Sequence, residues 1–402
     1  MKERLTLQEA TESLLASINI MKETERVSLW DAAKRVLAED IKATKDQPPF
    51  HRSPLDGYAL RSADIQGASK EHPVTLKVID EVVAGYMSHT LVTEGKAIRI
   101  MTGAPIPEGA DCILGQEDTN YGENLVEVYA SLRPYQNYCF QGEDYKAGKL
   151  LLPKGNVLGP VEVGVIAGTG KTDVLVYRKV RAAVFTTGDE IRLPGEELAE
   201  GKIYDNNLHT ITTQLHMWDV DIVKRERVDD SPAIMAEKLK SVLEDVDLII
   251  TSGGVSVGKK DIMHESLNLI GAKKIFWRIL IKPGMPTLCA TCQGKPIICL
   301  SGNPYGAAVN VSLLGRPVIE KLGGRRDLRI ERRKAVIQNS YPKKSGVTRY
   351  IRAYHEDGKV WIADGSNDSG ILSNMCGCNC LIEVPAKTMS VENGSEVTIV
   401  ML

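Results

Sequence analysis

The sequence predicts a multidomain α/β plus β protein, and three observations carry the prediction. Between residues 179 and 326, short β-branched runs alternate with segments of helical apolar spacing, the pattern of a doubly wound, mostly parallel sheet. Before that region, residues 74–135 are rich in valine and turn residues. After "GGRRD" (323–327), strand-length runs such as "TRYIRAYHE", "KVWIAD" and "EVTIVML" predict a small all-β domain. A chain of 402 residues exceeds one ordinary core, so two to four domains are expected.

The opening "MKERLTLQEATESLLASINI" reads as an amphipathic helix. Thr6 and Glu9 form a capping box, and Leu7, Ala10, Leu14 and Ile18 share a face. "KDQPPFHRSPLDGYAL" (45–60) is a proline-rich linker, and "MTGAPIPEGAD" (101–111) is a shaped loop. "VRAAVF" (180–185) reads as a buried strand ending in "TTGDE". A helix bearing Leu208, Ile211, Leu215 and Trp218 follows, capped by Asp205 or Asn206. "DVDIV" (219–223) is the next strand, and Ser231-Pro232 opens a second helix. "VDLIIT" (246–251) leads through "SGG" to a third helix at Met263, Leu267 and Ile270. "IFWRILI" (275–281), "TLCAT" and "PIICL" (296–300) complete the strands, and one long apolar helix spans Tyr305 to Leu322.

Apolar residues make up 43%, charged residues 25%, and the net charge is −2. No global field draws such a chain to nucleic acid or a membrane. No apolar run reaches membrane-spanning length, and the opening lacks the apolar core of an export signal, so a cytoplasmic location is expected. Cys289-x-x-Cys292 has zinc-like spacing, but an extended strand would point its sulfurs to opposite faces. Reduced, mostly buried thiols are the favoured reading for both this pair and the Cys376, Cys378, Cys380 cluster.

In parallel α/β sheets, ligands bind outside the carboxyl ends of the strands. The unusual residues of 179–326 fall there. "TTGDE" supplies Thr187, Gly188 and Glu190; "VDD" supplies Asp230; "TSGGVSVGKKD" supplies Ser252, Gly253, Gly254, Ser256 and Asp261; "SGNP" supplies Gly302, Asn303 and Pro304. Neither a P-loop nor a dinucleotide fingerprint is present, so the anion holder is another loop type. Glu190, Asp230 and Asp261 follow strands. The plainer reading makes Asp230 and Asp261 helix caps, but three carboxylates in a lysine-bearing crevice repel unless a cation intervenes, and Mg²⁺ fits. Arg278 and Lys282, taken as one strand, share a face and suit an oxyanion, against the plainer reading of a solvated edge. No covalent nucleophile stands out.

Taken together, "SPLDGYAL", "MTGAPIPEGAD", "GED" (142–144), "TTGDE", "YDNN" (204–207), "TSGGVSVGKKD", "IKPGMP" and "SGNP" make the chain resemble the molybdopterin molybdenumtransferases, relatives of the C-terminal domain of gephyrin. The resemblance covers essentially the whole chain. It implies insertion of molybdate into adenylylated molybdopterin, with Mg²⁺-dependent release of AMP. It implies an elongated linking domain (1–26 and 136–178), a β-rich inserted domain (27–135), an α/β domain (179–326) and a C-terminal β-barrel (327–402). It also implies a homodimer whose cleft takes loops from both subunits. The family's acids fall on Asp56, Asp144, Glu190, Asp230 and Asp261, its cations on Arg278 and Lys282, and other motif positions on Thr102, Pro304 and Ser369. Asp229 is the alternative to Asp230. Departures are Met285 in place of a second lysine, Ser301 in place of proline, and Arg52 in place of asparagine. The rival readings are a tungstate-inserting counterpart, the adenylyltransferase of the preceding step, and a gephyrin-like scaffold. The adenylyltransferase and recipient molybdoenzymes are the implied partners.

Overall fold

The computed structural model describes residues 1–255 and 261–402. They form two compact units: residues 1–39, 154–163 and 172–402, and residues 40–153 with 164–171. This division is coarser than the four expected segments.

The first unit is built on a seven-stranded sheet. Its order is Lys2–Leu5, Lys273–Ile279, Thr287–Cys292, Lys295–Leu300, Leu248–Ser252, Arg181–Thr187, Asp221–Val228. The last four run parallel, and Thr287–Cys292 is antiparallel to both its neighbours. Alternate side chains feed two cores. Ala182, Val184, Leu248, Ile250, Ile298 and Leu300 pack with helices Leu7–Leu15, Asn207–Met217 and Pro304–Asn310. Ala183, Phe185, Ile249, Ile297 and Cys299 pack with helices Pro232–Val242 and Met263–Leu269 on the other face. Cys289 joins the first core and Cys292 the second, as strand alternation requires.

The helix starts follow local chemistry. The Ser231 side chain accepts from the Ile234 N–H, with Pro232 in the first turn. Of the two candidates before Asn207–Met217, Asp205 does the capping: its Oδ1 accepts from the Leu208 N–H at 2.9 Å, while the Asn206 side chain makes no cap bond.

Three expectations are corrected. The opening is not all helix: Lys2–Leu5 is an edge strand parallel to Lys273–Ile279, and the capping box at Thr6 begins the helix only at Leu7. The long apolar helix is interrupted by a π-helical turn, Val311–Gly315, before Arg316–Leu322. Pro317 offers no N–H to the preceding turn, which explains the interruption. Finally, 275–281 is not one strand. The first strand ends at Ile279, Arg278 has φ of 65°, and Ile281–Lys282 pairs instead with Thr348 and Arg349. Arg278 and Lys282 therefore sit in different sheets, and the shared face is lost.

The C-terminal strands Thr348–Glu356, Lys359–Ile362, Arg332–Ile337, Glu396–Met401 and Cys380–Val384 pair in that order, and the last pairs back to the first, closing a small barrel. The second unit carries a five-stranded sheet ordered Cys112–Gly115, Gly57–Leu60, Lys96–Ile100, Val74–Val82, Leu125–Val128. Gly57 is obligatory there, because a Cβ would lie 1.8 Å from the Leu114 carbonyl oxygen.

A candidate active-site cleft at the strand ends

The carboxyl ends of the four parallel strands open into a cleft of about 600 Å³. That size suits a small-molecule ligand. Its walls include Thr186, Thr187, Gly188, Glu190, Asp230, Ser252, Gly253, Gly254 and Asp261, and "SGNP" adds Ser301, Gly302, Asn303 and Pro304. Loops separated by more than a hundred residues thus meet where sheet geometry places them.

The lining is internally braced. Thr187 Oγ1 donates to Asp230 Oδ1 at 2.5 Å, and the Asp189 N–H donates to Asp230 Oδ2 at 3.1 Å. Asp230 therefore ties one loop to the next rather than capping a helix. Its alternative, Asp229, pairs with Arg227 at 2.7 Å and is not part of the lining. Thr186 Oγ1 donates to Asp205 Oδ2 at 2.5 Å. Asn207 Nδ2 donates to both Ser252 Oγ (2.9 Å) and Gly302 O (2.8 Å), and Ser252 Oγ donates to Ser301 O at 3.1 Å. Ser301, where proline was the family expectation, uses its hydroxyl to accept from the Asn303 N–H at 3.2 Å.

Asp261 is half-buried. Burial pushes its carboxyl pKa up, while His264 and the backbone N–H groups of His264 and Met263 pull it down. Its Oδ1 is buried and has no hydrogen-bond partner among the described residues. A buried acceptor oxygen without a donor can take a bond from a ligand or an ion.

Gly253 has φ of +100°, and a Cβ there would sit 2.2 Å from the Thr187 carbonyl oxygen. Gly253→Ala is expected to destabilise the first unit by about 3 kcal/mol or more, through left-handed strain and a backbone clash. A chemical-denaturation curve matching the parent would show that these two strand ends are not in contact.

In the second unit, Asp56 Oδ1 accepts from both the N–H and the Oγ1 of Thr102, each at 2.7 Å. The Thr102 N–H, then its hydroxyl, hold the Asp56 pKa below the usual carboxylate range. Thr102→Val keeps the N–H and loses the hydroxyl, so the Asp56 pKa should rise part of the way back, as read by carboxyl NMR titration. Because the folded value is depressed, the parent's small stabilisation is present above the unfolded pKa and fades as pH falls through the folded one. Asp144 stands where its N–H donates to Gln47 O at 3.0 Å.

Arg278, Lys282 and Ser369 do not line the cleft. Arg278 lies 4.2 Å over the Trp277 ring, and Lys282 is exposed at the head of a loop locked by Asn310, whose Nδ2 donates to Gly284 O at 2.8 Å. Ser369 accepts through its carbonyl from the Tyr305 N–H at 3.1 Å, which places its neighbour Gly370 in the lining. Ser256 lies outside the described residues. Among the described residues no group of three His, Cys, Asp or Glu side chains is arranged around one ion. Glu190, Asp230 and Asp261 share a cleft but do not form a three-carboxylate cage.

Sequence reasoning left three contributors out of the site. Asp205 and Asn207 lie in the noted "YDNN" stretch, and their polar types in a strand-to-helix loop were the available signal. Arg352 gave none. It is fully buried inside the barrel wall, lies 3.9 Å over the Tyr305 ring, and donates to the carbonyls of Ser366 (3.0 Å), Asp368 (3.1 Å) and Ile371. Those bonds shape the loop that carries Ser369 and Gly370.

Three family profiles match the chain in order: the MoeA N-terminal region (domain I and II) over residues 5–170, a probable molybdopterin binding domain over 183–321, and the MoeA C-terminal region (domain IV) over 334–402. A molybdopterin molybdenumtransferase of Staphylococcus epidermidis is 35% identical over 378 residues, 93% of this chain and 90% of that protein. A Staphylococcus aureus protein of the same name is 33% identical over 381 residues, with the same coverage. The crystal structure of the molybdopterin biosynthesis moeA protein from Pyrococcus horikoshii superposes with a TM-score of 0.86 at 31% identity, covering 99% of this chain and 100% of that one. Matched in order by three profiles and across nearly its full length by named relatives and a solved structure, the chain belongs to the MoeA family of molybdopterin molybdenumtransferases.

Proposed function

We propose that this enzyme inserts molybdate into adenylylated molybdopterin, releasing AMP and leaving molybdenum cofactor. The observation that carries the reading is the cleft itself: glycine-bearing strand ends that admit phosphate close to the backbone, beside carboxylates set for a cation. A Cβ built on Gly302 would lie 3.7 Å from the Gly253 Cα, so the two glycine loops pack backbone to backbone at the cleft wall.

Mg²⁺ fits the residues present. It takes one or two carboxylates and completes its shell with water and ligand oxygens. Asp261, whose Oδ1 has no partner among the described residues, and the exposed Glu190 would hold it, whereas both Asp230 oxygens already accept hydrogen bonds. Bound there, the ion supplies charge neutralisation at phosphate oxygens. The chain's own residues do the rest. Asn207, Ser252 and Ser301 fix the two glycine loops, Asp230 holds the Thr187 loop, and Pro304 starts the helix behind them. By the family resemblance Arg278 and Lys282, although outside this lining, would serve the oxyanion, and Asp56, Thr102 and Asp144 would come from a second subunit of a homodimer. The chain works in the cytoplasm, with the adenylyltransferase before it and recipient molybdoenzymes after it.

The test is to mix purified chain, adenylylated molybdopterin and Mg²⁺ with and without molybdate, following AMP and the reconstitution of a cofactor-free molybdoenzyme. Molybdate-dependent AMP release supports the proposal. Adenylate transfer from ATP to molybdopterin without molybdate would assign the chain to the preceding step. Equal turnover with tungstate would broaden the substrate class.

A further inference from the structure

The run Met375-Cys376-Gly377-Cys378-Asn379-Cys380 takes no part in the cleft chemistry, yet its geometry is specific. The Cys378 N–H donates to Met375 O at 3.1 Å, closing a four-residue turn. Cys376 has φ −61° and ψ 131°, and Gly377 has φ +78°. These are the angles of a type II turn, whose third position needs glycine. Nothing lies within 4 Å of a Cβ built on Gly377, so the backbone angle alone demands it. Two Cα atoms flanking such a glycine stand ~5–6 Å apart, within the span of a disulfide.

The three thiols are differently placed. Cys376 is exposed, Cys378 is half-buried, and Cys380 is buried with its thiol donating to Ala353 O at 3.5 Å. Burial pushes the Cys380 thiol up to about 12, which removes it as a nucleophile. Burial also raises the Cys378 thiol, the Arg352 guanidinium draws it down, and the charge of Cys376 raises it further, while its Sγ donates to Asn374 O at 3.5 Å.

We propose that Cys376 and Cys378 are a reversible dithiol–disulfide pair that reacts with low-molecular-weight disulfides. The exposed Cys376 thiolate attacks one sulfur of the small disulfide. That S–S bond breaks, and one small thiol leaves with a proton taken from solvent. Cys378, having lost its proton to solvent, then attacks the Cys376 sulfur of the mixed disulfide. It displaces the second small thiol and closes the ring. The two cysteines lose two electrons and two protons, and the small disulfide gains them. The Arg352 guanidinium that draws the Cys378 thiol down also holds the loop whose Gly370 lines the cleft. The proposal does not depend on which reaction the cleft performs.

The experiment equilibrates the full chain in buffers of rising oxidised-to-reduced glutathione ratio, quenches with acid, alkylates, and reads intact and peptide mass. The expected species is lighter by two hydrogens, with its 376–378 peptide refractory to alkylation until dithiothreitol is added. Cys378→Ser should instead accumulate one glutathione on Cys376, and Cys376→Ser should show neither ring nor adduct at 378. A parent chain that keeps a stable glutathione adduct on Cys376, stays fully alkylatable at the highest ratio, or links Cys380 overturns the proposal.

Discussion

Asp261→Asn is expected to lower molybdate-dependent AMP release by roughly 10²–10³-fold while leaving the unfolding midpoint unchanged or slightly higher. The exchange is close to isosteric, and asparagine serves a helix start as well as aspartate does, so any structural role at the Met263–Leu269 helix survives it. The charge is what disappears. Burial already pushes the Asp261 carboxyl toward its protonated form, so removing that charge relieves a folding cost. The proposed role in ligand binding accounts for a carboxylate whose charge costs stability and whose Oδ1 lacks a partner among the described residues. Near-parental turnover in this variant would take Asp261 out of the chemistry. A large drop in melting temperature would make it a structural cap instead.

Arg352→Ala is expected to cost about 3 kcal/mol or more, seen as early loss of the barrel in chemical denaturation. The substitution strands the carbonyls of Ser366, Asp368 and Ile371 in a buried setting and removes the cation from the Tyr305 ring. Arg352→Lys should recover little of this, because an ammonium cannot present the planar fork that reaches three carbonyls at once. The loop carrying Gly370 should loosen in both variants, weakening ligand affinity at the cleft more than Asp261→Asn does. Parental stability in Arg352→Ala would mean that the loop is held by its own turns.

Much of this was legible in the residues. Strands that alternate with capped helices can be placed by apolar period alone, and their polar ends then fall at one edge because parallel strands all finish there. Ser231-Pro232 and Thr6-x-x-Glu9 announce their helices by local hydrogen bonding, which needs no tertiary information. The misreadings came where distant chain decided the outcome. Lys2–Leu5 is a strand only because Lys273–Ile279 offers an edge, and Arg278 leaves the strand pattern because the next residues are captured by the barrel strand at Thr348. Pro317 was a local signal within an apolar run, and its missing N–H should have broken the long helix. Arg352 could not have been found by type or spacing, since a buried arginine bonded to carbonyls looks like any surface cation in a sequence.

The strand at Lys2–Leu5 has a consequence for biosynthesis. Its partner is translated some 270 residues later, a delay of roughly 15–50 s at ordinary elongation rates. Throughout that interval the nascent polypeptide carries an unmatched β-segment, and only the arrival of Phe276 and Trp277 from the ribosome lets it dock. Closure of this sheet edge therefore waits for Lys273–Ile279, and pulse-chase proteolysis should find Lys2–Leu5 open to cleavage until that strand emerges.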